Sequence, residues 1–228
     1  MLFSFKMNNP KLSIKISDTE IEEKTVTNFL GVQVDNKLTW KAHIAHICSK
    51  VSKSIAILRL VRSIFPKNIF KMIYMSLIYT YLNYCNLLWG SADACNLKPL
   101  ILLQKKAVRV INLANYLDHT EPLFKKSKLL TVYQVFESNC LIFMYKCIKC
   151  NMFPEFKERI QLNSNIHDHN TRKKTFRVST RARLDICKKS FLYYGLHIWN
   201  LLASELKVLN SIGYFKKKLR LHILGLKN

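Results

Sequence analysis

Phe29-Leu30-Gly31-Val32-Gln33-Val34-Asp35-Asn36-Lys37-Leu38-Thr39-Trp40-Lys41-Ala42-His43-Ile44 is where the chain changes character. A short β-branched run with one glycine turns at Asp35-Asn36-Lys37 and feeds at once into a helix. Upstream, Leu12, Ile14 and Ile16 alternate with Lys11, Ser13 and Lys15, the period-two pattern of a half-buried strand. Asp18-Thr19 reads as a turn and Val26 to Val34 as the returning strand, so residues 11–34 are expected as strands. Gly31 weakens a strand interior. It marks either a bulge or a close backbone approach, and a nucleic-acid backbone is one such neighbour.

Downstream, Ile44, Ile47, Val51, Ile55 and Leu58 form an apolar helical stripe. Pro66 ends that helix and stands where a first-turn proline starts the next, expected from Lys67 to about Leu88. A third helix is expected from about Leu97 to Leu113. Leu100, Leu103, Ala107, Val110 and Ile111 face inward from it, while Lys105, Lys106 and Arg109 project elsewhere. Thr120 reads as an N-cap with Glu121 and Pro122 in the first turn. A long helix from about Val132 to Lys149 stops before Pro154. Asn163 to Lys189 is polar and basic and predicts an extended, partly irregular connector with some strand character. Phe191 to Leu226 reads as helical. The expected fold is mainly α, with a small N-terminal β-hairpin, a helical bundle and a basic C-terminal region.

Basic residues number 37 against 14 acidic ones among 228, a formal net charge of +23 with a pI near 9.9. Such an excess points to polyanions, with a merely solvated charge as the bland alternative. The candidate phosphate contacts are Lys105, Lys106 and Arg109 with two later clusters. One is Arg172, Lys173, Lys174, Arg177, Arg181, Arg183, Lys188 and Lys189; the other is Lys216, Lys217, Lys218 and Arg220. Tyr193, Tyr194, Trp199 and Tyr214 lie among the C-terminal bases. They either stack on unpaired nucleotides or, the simpler reading, pack the last helices together.

Seven cysteines (48, 85, 95, 140, 147, 150 and 187), mostly in apolar helical stretches and with no signal peptide, read as reduced thiols of an intracellular protein. Met72 to Ala92 carries no charge, long enough to suggest a membrane span. However, Ser76, Thr80, Asn83 and Asn86 put a polar stripe on one face. Tyr74, Tyr79, Tyr81 and Tyr84 add hydroxyls that hydrocarbon leaves unsatisfied. A buried helix broken near Gly90 is expected instead.

Nucleotidyl transfer needs carboxylates holding two metal ions about 3.5–4 Å apart. Asp18, Asp35, Asp93, Asp118, Asp168 and Asp185 include no adjacent pair. There is no phosphate-binding glycine loop and no G-x-S-x-G elbow. Pro154-Glu155-Phe156-Lys157 lacks a partner carboxylate and reads as a helix-flanking segment. Cys147-x-x-Cys150 with His167 and His169 has zinc-ligand chemistry, yet Cys147 lies in an apolar helical run and reads as core. His43, with no carboxylate partner to name, reads as structural. No catalytic or metal residue is assigned.

Several motifs, in order, resemble the part of non-LTR (LINE-type, jockey-like) retrotransposon reverse transcriptases that follows the catalytic palm. Phe29–Ile44 is similar to the family's strand-turn-strand with F/Y-L-G-V and to the L-T-W-x-x-H-I that opens its first thumb helix. Leu77-Ile78-Tyr79, Tyr84-Cys85 and Leu88-Trp89-Gly90 resemble its "alIyp-leYg-vWg" pattern, and Leu103 to Ile111 its "lQ-kkalRiI" helix. His169-Asn170-Thr171-Arg172 resembles "H-x-TR", Trp199-Asn200 the "WN-x-LP" element, and Met1-Leu2-Phe3-Ser4 the tail of a palm motif. The likeness covers about residues 1 to 226. Ala203 departs from the family's proline, and the paired aspartates of the Tyr-x-Asp-Asp loop are missing.

The resemblance implies that Phe29, Leu30 and Gly31 form a primer grip and that the helices after Trp40 form a thumb. The Arg172–Lys189 and Lys216–Arg220 regions would contact target DNA or element RNA. It divides the chain into a palm remnant with the hairpin (1–39), a thumb-like domain (40–155) and a basic region (156–228). It implies RNA and DNA as partners, together with the missing palm and fingers, and no membrane. No cofactor is implied for this chain, since Mg²⁺ belongs to the full-length polymerase. The setting is a nuclear or cytoplasmic ribonucleoprotein that is not secreted, and the chain alone is expected to be inactive. Two alternatives stay open: a free-standing nucleic-acid-binding protein derived from such an element, and a non-functional remnant.

Overall fold

Two short antiparallel hairpins precede a run of helices in the computed structural model, which describes residues 1, 3, 14–17, 19–162, 176–178, 182 and 184–226. β1 (Lys15–Ile16) pairs with β2 (Thr19–Glu20), and β3 (Val26–Phe29) pairs with β4 (Val32–Asp35). The single strand expected from Val26 to Val34 is therefore two. Leu30 and Gly31 make a two-residue turn between Phe29 and Val32, with φ of 48° and 78°. Gly31 is not a bulge; it supplies one of the two positive φ angles that a type I′ turn demands. Leu30 has no such freedom, and the left-handed conformation costs a leucine about 1–2 kcal/mol. Leu12 and Asp18 lie outside the described residues.

The turn into the first helix, α1 (Lys41–Val61), is organised by Asp35. Its nearly buried carboxylate accepts the backbone N–H groups of Thr39 (2.9 Å), Trp40 (2.8 Å) and Lys37 (3.2 Å). No side chain caps the helix at Trp40 itself, so Asp35 satisfies these turn amides from upstream. The expected stripe of Ile44, Ile47, Val51, Ile55 and Leu58 is buried, joined by His43 and Ser54.

α2 (Lys67–Tyr74) continues through a π-helical stretch (Met75–Tyr79) into α3 (Thr80–Asn83). It does not reach Leu88. Cys85 adopts a left-handed φ of 47° and α4 (Asn86–Trp89) restarts after it, so a break at Cys85 precedes the expected one near Gly90, where α4 ends. The indole Nε1–H of Trp89 donates to the Tyr84 carbonyl at 2.9 Å and ties the two sides of the break. Nor is the helix buried all round. Phe70, Tyr74 and Ile78 are buried, while Ser76, Thr80 and Asn83 face solvent. The Ser76 and Thr80 hydroxyls donate back to the carbonyls one turn earlier. Among the described residues no helix is long and apolar enough to cross a membrane.

α5 (Ala94–Asn112) begins before the expected Leu97 and buries Leu97, Leu100, Gln104, Ala107, Val110 and Ile111; Leu103 is half-buried. Residues Met1–Tyr81 and Ala92–Ile111 form one compact unit. Within it, Ser54 Oγ donates to the Leu77 carbonyl of the π-helical stretch at 3.0 Å. Gln104 Nε2 donates to the buried Tyr74 hydroxyl at 2.9 Å.

Leu82–Ser91 with Asn112–Asn228 form the second unit. It holds α6 (Thr120–Ser127), α7 (Val132–Ile148), α8 (Pro154–Glu158), the hairpin of β5 (Ile160–Leu162) and β6 (Phe176–Val178), α9 (Asp185–Lys189), α10 (Phe191–Leu201), α11 (Ser204–Lys207) and α12 (Ile212–Ile223). Thr120 is the first helical residue and not the N-cap, because the extended residue before the helix is His119. The segment expected to be helical from Phe191 to Leu226 holds three helices, separated by extended backbone at Leu202, Ala203 and Ser211. The end of the expected connector is helical, as α9.

α7 is the axis of this unit, and it starts with a capping box between Thr131 and Gln134. Tyr145 stacks on Phe215 with centroids 4.4 Å apart, and its hydroxyl donates to the Leu209 carbonyl at 2.9 Å. Gly195 lets α10 approach α7 closely, since a Cβ there would sit 3.0 Å from Met144 Cε. Gly90 does the same for the chain after α4, where a Cβ would fall 2.5 Å from Phe136 Cδ2.

Candidate nucleic-acid interface

The hairpin tip is built to point outward. β4 packs on α1, where Val32 is buried and His43 Nδ1 accepts the Gln33 backbone N–H at 3.3 Å. Burial and the nearby His46 hold the His43 pKa below its usual value, which favours the neutral ring, and the Gln33 N–H makes Nδ1 its unprotonated nitrogen. With β4 and Asp35 fixed, Phe29 is 67% exposed and Leu30 76% exposed at the turn. Gly31 is exposed beside them.

The cations fall into separate groups, and basic residues outnumber acidic ones in each unit. On α5, Lys106 is exposed and Lys105 and Arg109 are partly exposed, away from the buried Leu100–Ala107–Ile111 face. The solvent side of α1 adds Lys50 and Lys53, which the sequence reading did not single out. Their place opposite the Ile44–Leu58 stripe was the available signal.

The C-terminal run divides by role. Lys216 and Lys217 face solvent on α12. Lys218 instead lies over the Tyr214 ring, its Nζ 5.4 Å from the centroid. Arg220 donates to the Lys128 carbonyl at 3.0 Å, tying α12 to the end of α6. On α9 both lysines are exposed, and Lys188 pairs with Asp185 at 3.1 Å. Arg177 belongs to β6 by its backbone, whereas Arg172, Lys173, Lys174, Arg181 and Arg183 lie outside the described residues.

The C-terminal aromatics are mostly core. Trp199 is 2% exposed, and Tyr194 stacks on Phe136 at 5.3 Å. Tyr193 is partly buried and Tyr214 is 48% exposed. Asn200, next to Trp199, clamps β6. Its Oδ1 accepts the Phe176 N–H at 3.0 Å and its Nδ2 donates to the Phe176 carbonyl at 2.8 Å.

Metal-binding chemistry finds little here. Cys147 is buried and Cys150 exposed, and burial pushes the Cys147 thiol up to about 11, while Lys146 pulls the other way. His167 and His169 lie outside the described residues. Asp35 is committed to backbone amides and Asp118 accepts the Asn115 N–H at 2.7 Å. Among the described residues no three histidine, cysteine or carboxylate groups come together. These residues therefore do not fit a two-metal magnesium centre. No sequence family, no curated protein and no solved structure matches the chain.

Proposed function

We propose that this chain is the primer-gripping and thumb portion of a non-LTR retrotransposon RNA-directed DNA polymerase, working on nucleic acid held for carboxylates and Mg²⁺ that belong to the palm. In this reading residues 40–155 serve as thumb, and the setting is a nuclear or cytoplasmic ribonucleoprotein. The observation that carries it is the β3–β4 tip. Phe29, Leu30 and Gly31 are turned outward by a strained turn, on a hairpin fixed to the first helix through Asp35 and His43.

The tip offers apolar contact to a strand end, and Gly31 leaves room for a sugar–phosphate backbone. Exposed Lys106 on α5, with Lys105 and Arg109 on the same helix, and exposed Lys216 and Lys217 on α12 neutralise phosphates. Such contacts position a duplex without reading its sequence. The chain alone has no polymerase activity in this account.

The test is binding of an RNA–DNA hybrid primer–template, followed by fluorescence anisotropy across a KCl series. Each phosphate contact adds about −0.9 to the log–log slope on duplex DNA. Replacing Lys105, Lys106 and Arg109 together by Gln is expected to flatten the slope by roughly two to three units. An unchanged slope overturns the α5 contacts, and a hybrid that does not bind at all overturns the proposal.

A further inference from the structure

A groove of about 490 Å³ opens between α11 and α12, within the roughly 300–1,000 Å³ typical of small-molecule sites. Its apolar lining is Leu206, Leu209 and Leu221, and its polar lining includes Tyr214, Lys218 and His222. Two features select the ligand. Tyr214 is a half-exposed ring lining the groove, so a planar group can lie against it. The Lys218 ammonium lines the groove and rests over that ring, 5.4 Å from its centroid, so a planar group that takes the ring face displaces the ammonium toward an anion attached to it. Glu205 also lines the groove, and an ionised carboxylate accepts hydrogen bonds of the kind an exocyclic amino group donates.

A flat ring bearing amino groups and joined to a phosphate is a nucleotide. We infer that this groove holds one unpaired nucleotide of a single strand, its base on Tyr214 and its phosphate on Lys218. The inference rests on the nucleic-acid reading above and adds a site that discriminates single strand from duplex. Phosphate contacts alone do not distinguish the two in this way, whereas stacking on an aromatic ring requires an unpaired base.

The experiment compares a labelled single-stranded adenine 12-mer, a 12-base-pair duplex and free AMP, all by anisotropy or competition at one salt concentration. Tyr214→Ala is expected to weaken the single strand roughly tenfold, as loss of one stacked base does, and to leave the duplex within about twofold. Tyr214→Phe keeps the ring and is expected to keep the affinity. Ala203→Trp, at a lining position exposed to solvent, fills the groove with Tyr214 in place and is expected to reproduce the loss. Single-strand affinity untouched by both Tyr214→Ala and Ala203→Trp overturns the inference while leaving the proposed function standing, as does an equal loss on duplex. AMP competing as well as the strand assigns the groove to free nucleotides instead. Wild-type protein that binds neither strand nor duplex overturns the nucleic-acid reading itself.

Discussion

The β3–β4 hairpin and the α10–α12 helices are both apolar stretches set near cations, and they use their apolar residues in opposite ways. Trp199 and Phe215 are 2% and 0% exposed and join Tyr145 in the core around α7. Phe29 and Leu30 are largely exposed, at a turn where Leu30 has a left-handed backbone. Large side chains that stay in solvent add nothing to a core, and strain at the same place subtracts from stability. The α10–α12 aromatics therefore build the core, while the hairpin tip keeps its large side chains in solvent, as the proposed contact role requires.

The largest effect expected from this contrast is in the helical core. Trp199→Ala removes a buried indole and is expected to cost roughly 3–5 kcal/mol in urea unfolding. Phe29→Ser at the hairpin tip is expected to leave the urea midpoint within error while weakening hybrid binding. Equal destabilisation by the two would erase the distinction. Gly90→Ala comes next. Its Cβ would meet Phe136 Cδ2 at 2.5 Å and the Asn86 carbonyl at 2.6 Å, and overpacking of this kind costs about 1–3 kcal/mol. A Tm that does not fall would show that the chain after α4 can move away from α7.

Leu30→Gly has the opposite sign. It relieves the left-handed leucine at the expense of glycine's greater unfolded freedom, and is expected to stabilise by up to about 1 kcal/mol. The same variant is expected to bind hybrid more weakly. Stabilisation with intact binding would sever the tip from function.

The smallest effects are in pH dependence, where His43 on α1 behind the hairpin and Glu137 on α7 differ in direction. Burial lowers the His43 pKa, with His46 adding to the effect, so its contribution to stability is complete above about pH 6.5 and is lost as the pH falls below that value. His43→Gln is expected to flatten this acid limb. Burial raises the Glu137 pKa, only partly offset by His222, so its contribution is complete below the ordinary glutamate range and is lost as the pH rises through the folded-state value. Glu137→Gln is accordingly expected to stabilise at neutral pH and to change little near pH 3. Urea midpoints across pH 3–8 check both.

The helices were the legible part, because their periodicity reports burial directly. Ile44 to Leu58 and the Val132 start of α7 are where the residues place them. The breaks were less legible. Cys85 and Leu30 take left-handed backbones that their side chains disfavour, and only the surrounding structure holds them there. A glycine inside a β-branched run reads as a bulge until its neighbour is known to take positive φ as well. Among the candidate contacts, charge alone could not separate Lys216 and Lys217, which face solvent, from Arg220, which ties α12 to the Lys128 carbonyl. That distinction depends on which residues lie across the helix, information no local pattern carries.

The claim that the β3–β4 tip is a contact surface is tested most directly by hydrogen exchange of the whole chain with and without an RNA–DNA hybrid primer–template. The account predicts that exchange of the Phe29–Val32 amides slows when the hybrid is added, while the α7 amides are already protected and do not change. Slowing confined to the C-terminal helices, with the tip exchanging as fast as in the free protein, would contradict it.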